Sequence, residues 1–297
     1  MTDDVAGPGR LPRRDLLKLT GVVGAAAVLA GCGDSGSSSP TTVAAGTGTA
    51  TAAAGAVTAS RVTDALCGSD GDTGPRLDLW AKAQVCSAAY QKKQPEPAGC
   101  LGTTATTVVL NGAPASNHNY LLVPTRRVKG IECPYIWSAG APNYWKIAWD
   151  QAQPGGAGAV TGTVGLGINS APDRGQDQLH IHMAQILSGV ESQLNTASIT
   201  GDPSSWATSV VSVVGLQAGH QDPRYYRALR VKNLEQNLFA LLRDNVPAAA
   251  RDMSVQMLVV TARDAGGFYV LNSDPDLTGP VHGIGGTGTC DFLLRYD

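Results

Sequence analysis

The chain is predicted to hold one α+β domain, a mostly antiparallel sheet with flanking helices, and three observations predict it. Short alternating strand patterns are mixed with a few amphipathic helical stretches. They come in no regular β-α-β order, which argues against a doubly wound parallel sheet. There is no internal repeat, and 297 residues with 43% hydrophobic and 15% charged side chains suffice for one sizeable core.

The elements follow in order. Arg13-Arg14-Asp15-Leu16-Leu17-Lys18 sets twin arginines ahead of an apolar run, residues 19–30, that is shorter than the roughly 20 residues of a membrane span. The run closes on Leu29-Ala30-Gly31-Cys32, a lipobox pattern. Residues 1–31 are therefore expected to be a Tat-type lipoprotein signal peptide, with Cys32 the lipidated first residue of the mature chain. Residues 32–60 are almost wholly Gly, Ala, Ser, Thr and Pro, a low-complexity tether that would leave the domain anchored at the extracytoplasmic face of the cell membrane. The folded domain is expected over residues 61–297.

Within it, Leu77, Leu79, Trp80, Val85 and Ala89 predict an amphipathic helix over residues 76–91. Residues 106–110 and 119–125 read as strands, with Asn111-Gly112 turning the chain between them. Tyr144, Trp145 and Trp149 mark one face of a helix over 143–153. A glycine-containing strand over 163–169 leads through a polar loop, 170–177, to the strand that carries two histidines. A strand at 208–214, a helix at 233–244 and a strand pair at 254–262 and 268–272 complete the pattern, the pair turning at Asp264-Ala265-Gly266-Gly267.

Composition excludes some classes. A net charge of −2 supplies no basic stripe, so no nucleic-acid partner is expected. Beyond Cys32 stand Cys67, Cys86, Cys100, Cys133 and Cys290, which outside the cytoplasm favour two disulfides and one leftover thiol, with the partners unassigned. Arg126, Arg127 and Lys129 read as a solvated turn, and Arg224-Tyr225-Tyr226-Arg227 with Arg230 and Lys232 as a basic face. Gly283-Ile284-Gly285-Gly286-Thr287-Gly288 fits a dinucleotide fingerprint by letter but opens no helix.

The chemistry concentrates in Gln176-Asp177-Gln178-Leu179-His180-Ile181-His182-Met183, which holds two of the five histidines. In a strand Gln178, His180 and His182 share one face while Leu179, Ile181 and Met183 take the other. His-x-His alone leaves structural, metal and catalytic readings open. Met183-Ala184-Gln185 offers no acidic or imidazole ligand and Glu191 comes late, so no metal is expected. Neutral imidazole is a competent nucleophile toward phosphorus near pH 7. A phosphoanhydride suits it, because its phosphate leaving group needs little acid assistance and neighbouring donors can act on the phosphoryl oxygens.

Five ordered motifs extend this reading: N-Y-L-L-V-P-T (119–125), I-E-C-P (131–134), A-P-N-Y-W-K-I-A-W (141–149), G-I-N-S (167–170) and Q-D-Q-L-H-I-H-M (176–183). Together they resemble the bacterial CDP-diacylglycerol diphosphatase family of the histidine-triad (HIT-like) superfamily, over most of residues 66–295. The resemblance implies a HIT-like α+β fold and hydrolysis of the phospholipid CDP-diacylglycerol to CMP and phosphatidate, without a cofactor. It implies His180 as the nucleophile that carries the nucleotidyl group and His182 as the third triad position. Gln178 stands at the first, where the full pattern has histidine; its amide still donates but cannot titrate. Asn169 and Ser170 fall where the superfamily makes nucleotide and phosphate contacts, Arg174 in the loop that follows could pair a phosphate bidentately, and His220 matches a Gly-His pair of the family. Two alternatives remain: a HIT-like hydrolase or nucleotidyl transferase on soluble nucleotides, and a non-catalytic lipid- or nucleotide-binding lipoprotein, which the Gln178 departure favours.

Overall fold

The computed structural model describes residues 65–116 and 118–296. The expected signal peptide and tether, with Cys32, lie outside the described residues. No helix of the described residues is long and apolar enough to cross a membrane.

Helix α1 (Asp78–Gln91) leads into β1 (Cys100–Thr103), β2 (Thr107–Ser116) and β3 (Asn119–Pro124). After α2 (Tyr144–Ala152) come β4 (Val164–Ile168) and β5 (Ile181–Ile186), then α3 (Val190–Thr196). A long hairpin, β6 (Val210–Gln217) and β7 (His220–Val231), precedes α4 (Leu238–Asn245) and α5 (Pro247–Arg251). Strands β8 (Met257–Ala262), β9 (Phe268–Ser273) and β10 (Leu294–Arg295) follow. The strands form one sheet in the order β1-β2-β3-β5-β4-β8-β9-β7-β6, with β10 added beside β5. Every ladder in it is antiparallel, as expected from the sequence.

Strand alternation divides the core between two faces. On the first, Leu166 and Ile168 of β4, Leu179, Ile181 and Met183 around β5, and Leu258 and Val260 of β8 pack with Trp145 of α2 and Phe239 of α4. On the second, Ala184, Ile186, Val259 and Leu271 pack under α3 and a C-terminal segment carrying Cys290, Leu293 and Leu294. Farther along that face α1 covers Val108, Leu110, Leu121 and Val123.

The helices obey their local chemistry. In α1 the inward residues are Trp80, Ala83, Cys86 and Ala89, a three-residue spacing along one face. Val85, expected inward, is 56% exposed because it lies two residues, about 200° of helix rotation, from Ala83. Asn143 caps α2, its side chain accepting from Lys146 N at 3.2 Å. Helix α4 starts at Leu238, five residues later than the apolar pattern suggested. Asn237 fixes that start by accepting from Phe239 N at 3.0 Å while its amide donates to Ile136 O at 2.7 Å.

Two basic groups behave differently from their sequence reading. The expected basic face is strand β7, with Tyr225 and Tyr226 buried and Arg227 only 8% exposed. Arg227 Nη1 donates to Asn272 Oδ1 and Asp274 Oδ2, each at 2.8 Å. A cation enters this layer only with such partners. Arg127 is likewise buried rather than solvated, paired with Asp72 at 3.1 Å. Disulfides Cys67–Cys133 and Cys86–Cys100 leave Cys290 as a free, buried thiol, matching the expected two bridges and one leftover.

Candidate active site at the start of β5

Gln178, His180 and His182 lie where the backbone enters β5, and the expected alternation is realised. The rings of His180 and His182 meet edge to face with centroids 5.0 Å apart, while Leu179, Ile181 and Met183 enter the core on the other side. His182 pairs in register with Gly167 of β4 on one flank and Leu121 of β3 on the other. A Cβ on Gly167 would stand 2.7 Å from both Cβ and Sγ of Cys290. Glycine there is what lets the C-terminal segment lie directly on the sheet beside His182.

His180 is 7% exposed, and its Nδ1 lies 2.7 Å from the carbonyl oxygen of Gln178. A carbonyl only accepts, so Nδ1 carries the proton and Nε2 keeps its lone pair. Burial, reinforced by His182, pushes the His180 pKa down to about 3, and burial lowers His182 as well against the opposing pull of Asp291. Both imidazoles are therefore neutral at pH 7. Neither ring nitrogen of His182 has a hydrogen-bond partner.

The surroundings of His182 come from the far end of the chain. Tyr296 stands beside it with ring centroids 5.6 Å apart and donates its hydroxyl to Asp291 Oδ1 at 2.6 Å. Partial desolvation opposes the Asp291 carboxylate, but His182 and bonds from Tyr296, Thr289 and Asn169 outweigh it, so its pKa lies below the usual range. A nitrogen of His182, Cys290 Sγ and a carboxylate oxygen of Asp291 all lie within 4.8 Å of one another. A cavity of about 590 Å³ opens alongside, lined by Asp291, Tyr296, Thr289, Phe292, Leu216 and Arg224 among others. The histidines are not in its wall; Asp291 and Tyr296 stand between.

The other predicted residues fall as follows. Gln178 is fully buried, and its amide makes four internal hydrogen bonds. Oε1 accepts from Arg127 Nη1 at 3.1 Å and Val128 N at 3.2 Å. Nε2 donates to Pro124 O at 3.1 Å and Arg126 O at 3.0 Å. The side chain thus clamps the 124–128 segment, and its backbone carbonyl orients His180. Arg174 is bidentate to Glu132, both bonds 2.7 Å, and also meets Asp177, so its charge is neutralised inside the fold. Asn169 ends β4, its Oδ1 accepting from Cys290 N at 2.7 Å and Thr289 Oγ1 at 3.1 Å, and so holds the C-terminal segment. Ser170 is buried with its hydroxyl donating to Asp173 at 2.7 Å. His220 is exposed at the β6–β7 turn; its neighbours Gln217 and Ala218 line the cavity and it does not.

Sequence reasoning missed Asp291 and Tyr296. The one available signal was the unpaired Cys290, since more than a hundred residues separate this segment from His182.

Comparison with known proteins adds a family. Residues 76–284 match the family model described as CDP-diacylglycerol pyrophosphatase. The chain is also similar to the CDP-diacylglycerol pyrophosphatase of Yersinia pestis, with 33% identity over 163 residues, 53% of this chain and 60% of that relative. The match thus covers 60% of that relative's length, less than two thirds of it.

Proposed function

The chain belongs to the CDP-diacylglycerol pyrophosphatase family, and on that premise we propose that it hydrolyses the phosphoanhydride of CDP-diacylglycerol on a HIT-like scaffold. In this reading His180 Nε2 attacks the cytidylyl phosphorus, the bond to the bridging oxygen breaks, and phosphatidate leaves with the electron pair. Water then attacks the same phosphorus and gives up a proton to solvent, while the P–N bond breaks, CMP leaves and the electron pair returns to Nε2. The Nδ1–H bond to the Gln178 carbonyl steadies the positive charge that the ring takes on while it carries the nucleotidyl group. His182 offers an N–H to the phosphoryl oxygens, and nearby Asp291 favours its protonated form as charge develops. No cofactor is required by these steps.

The observation that carries the reading is the neutral, tautomer-fixed His180 with its Nε2 lone pair unclaimed by the backbone. Substrate entering from the cavity meets Tyr296 first, and the Tyr296 side chain swings aside to admit the diphosphate. Turnover by the purified domain, compared across CDP-diacylglycerol, CDP-alcohols and dinucleotides, tests the substrate class. Preference for a soluble nucleotide would replace the lipid reading, and binding without turnover would make the protein a lipid- or nucleotide-binding lipoprotein.

The same reading places the domain outside the cytoplasmic membrane, tethered through a lipid on Cys32. The twin arginines and the Leu29-Ala30-Gly31-Cys32 run support it, and two disulfides suit an oxidising compartment. Fractionation of Cys32→Ala tests it: the variant should leave the membrane fraction, and retention there would remove the anchor.

A further inference from the structure

We infer that His182, Cys290 and Asp291 form a site for a thiophilic divalent transition-metal ion, zinc above all, and that occupation of this site shuts off the histidine pair. Three observations converge. The donor atoms already lie within 4.8 Å of one another. The two ring nitrogens of His182 are enclosed and lack any hydrogen-bond partner, and a metal bond would satisfy one of them. Asp291 is exposed and lines the cavity, so a hydrated ion has an entrance.

The donor chemistry selects the ion. Imidazole, thiolate and carboxylate together suit zinc or cobalt, whereas magnesium and calcium demand oxygen ligands. Bonds of about 2.0–2.3 Å set tetrahedral ligands roughly 3.3–3.8 Å apart, so the three donors close by about an ångström on binding. Three protein ligands leave a fourth position for water. Binding exchanges the Cys290 S–H bond for a sulfur–metal bond and releases the proton to solvent. Tyr296, already bonded to Asp291, becomes an outer partner that orients the carboxylate.

The functional consequence rests on the hydrolase reading; the binding does not. With the ion on the ring nitrogen that would otherwise face the phosphoryl group, the ring proton sits on the opposite nitrogen and no longer reaches the phosphoryl oxygen, and an ion stands next to a His180 ring only 5.0 Å away. Zinc is then an inhibitor, not a cofactor.

The test titrates the disulfide-intact, full-length protein with cobalt(II) and follows the near-ultraviolet sulfur-to-cobalt charge-transfer band. A band that zinc displaces and that Cys290→Ser abolishes is expected, because Cys290 is the free thiol among the described cysteines. No band, or one undiminished in Cys290→Ser, overturns the site. Asp291→Asn, at an exposed position, covers the case in which Cys290→Ser fails to fold: its cobalt affinity should drop by about tenfold or more, and unchanged affinity overturns the site. Zinc should suppress CDP-diacylglycerol hydrolysis reversibly, with at least about tenfold more zinc needed for Cys290→Ser. Equal zinc sensitivity of the two proteins overturns the inhibitory role. A Cys290-dependent band in a protein that hydrolyses nothing supports the site and sinks the hydrolase reading instead.

Discussion

Replacing Gln178 by leucine separates two roles for the residue two positions before His180. If its amide faces substrate, the loss falls on turnover; the structure shows it facing Pro124 O, Arg126 O, Val128 N and Arg127 Nη1 instead. Leucine has nearly the same volume, so little cavity opens, but three backbone groups lose their partner at a site with no solvent exposure. At about 1–2 kcal/mol for each orphaned group, with the part-buried Arg126 carbonyl at the low end, the cost is about 3–5 kcal/mol. That is a large share of the ~5–15 kcal/mol available to a domain. With a urea dependence of about 2–3 kcal/mol/M, the unfolding midpoint should fall by roughly 1–2.5 M. Assayed cold and without denaturant, the folded variant should keep kcat within about tenfold of wild type, because His180 is oriented by the Gln178 backbone carbonyl, which leucine also has. A midpoint within experimental error of wild type, combined with a collapse in kcat, would refute the clamp and restore Gln178 as a phosphate donor.

Two further outcomes are expected. His180 and His182 are held neutral in the fold, with His180 at about 3 against an ordinary 6.5; the unfolded chain binds protons below pH 6.5 that the folded one refuses. The stability tied to His180 is therefore complete above about pH 6.5 and falls on acidification toward pH 3, with a limiting slope of ~1.4 kcal/mol per pH unit, and His182, lowered in the same direction by burial, adds a loss of the same sign. Urea midpoints at pH 7 and pH 5, above the carboxylate range, check this, and a midpoint that holds or rises at pH 5 would show solvated imidazoles. Over the same interval kcat/KM should stay nearly flat, because the nucleophile does not protonate. Removing the Cys86–Cys100 bridge, with a sequence separation of 14, should cost about 3 kcal/mol, and removing Cys67–Cys133, with a separation of 66, about 4 kcal/mol. Thermal unfolding of the paired serine variants reads both, and equal, negligible losses would contradict the loop-closure account.

The histidine strand was legible because its period of two is local: Leu179, Ile181 and Met183 enter one core while both imidazoles face the other way. Helix α2 and the β8–β9 hairpin were legible for the same reason, each being a short-range signal, and the odd cysteine followed from counting alone. Strand β7 was not. Its arginines and tyrosines looked like a surface cluster because the partners that bury Arg227, Asn272 and Asp274, come from more than forty residues away. Arg174 likewise looked available for phosphate until Glu132, from the I-E-C-P stretch, was found across from it. The environment of His182 was the least legible part, since Cys290, Asp291 and Tyr296 reach it only through the close approach that Gly167 permits.

The proposed mechanism turns on His180 carrying the nucleotidyl group. Rapid acid-free quenching of the purified protein with cytidine-labelled CDP-diacylglycerol tests it directly, alongside His180→Ala, His182→Ala and a chelator-treated wild type. Label should appear on the wild-type chain in an acid-labile phosphoramidate bond, with or without chelator. It should be absent, together with turnover, in His180→Ala, while His182→Ala still labels but turns over about 10²-fold more slowly, on the scale of losing one oxyanion donor. Near-normal turnover by His180→Ala, or activity lost to chelation and restored by zinc, would contradict the account and hand the chemistry to a metal.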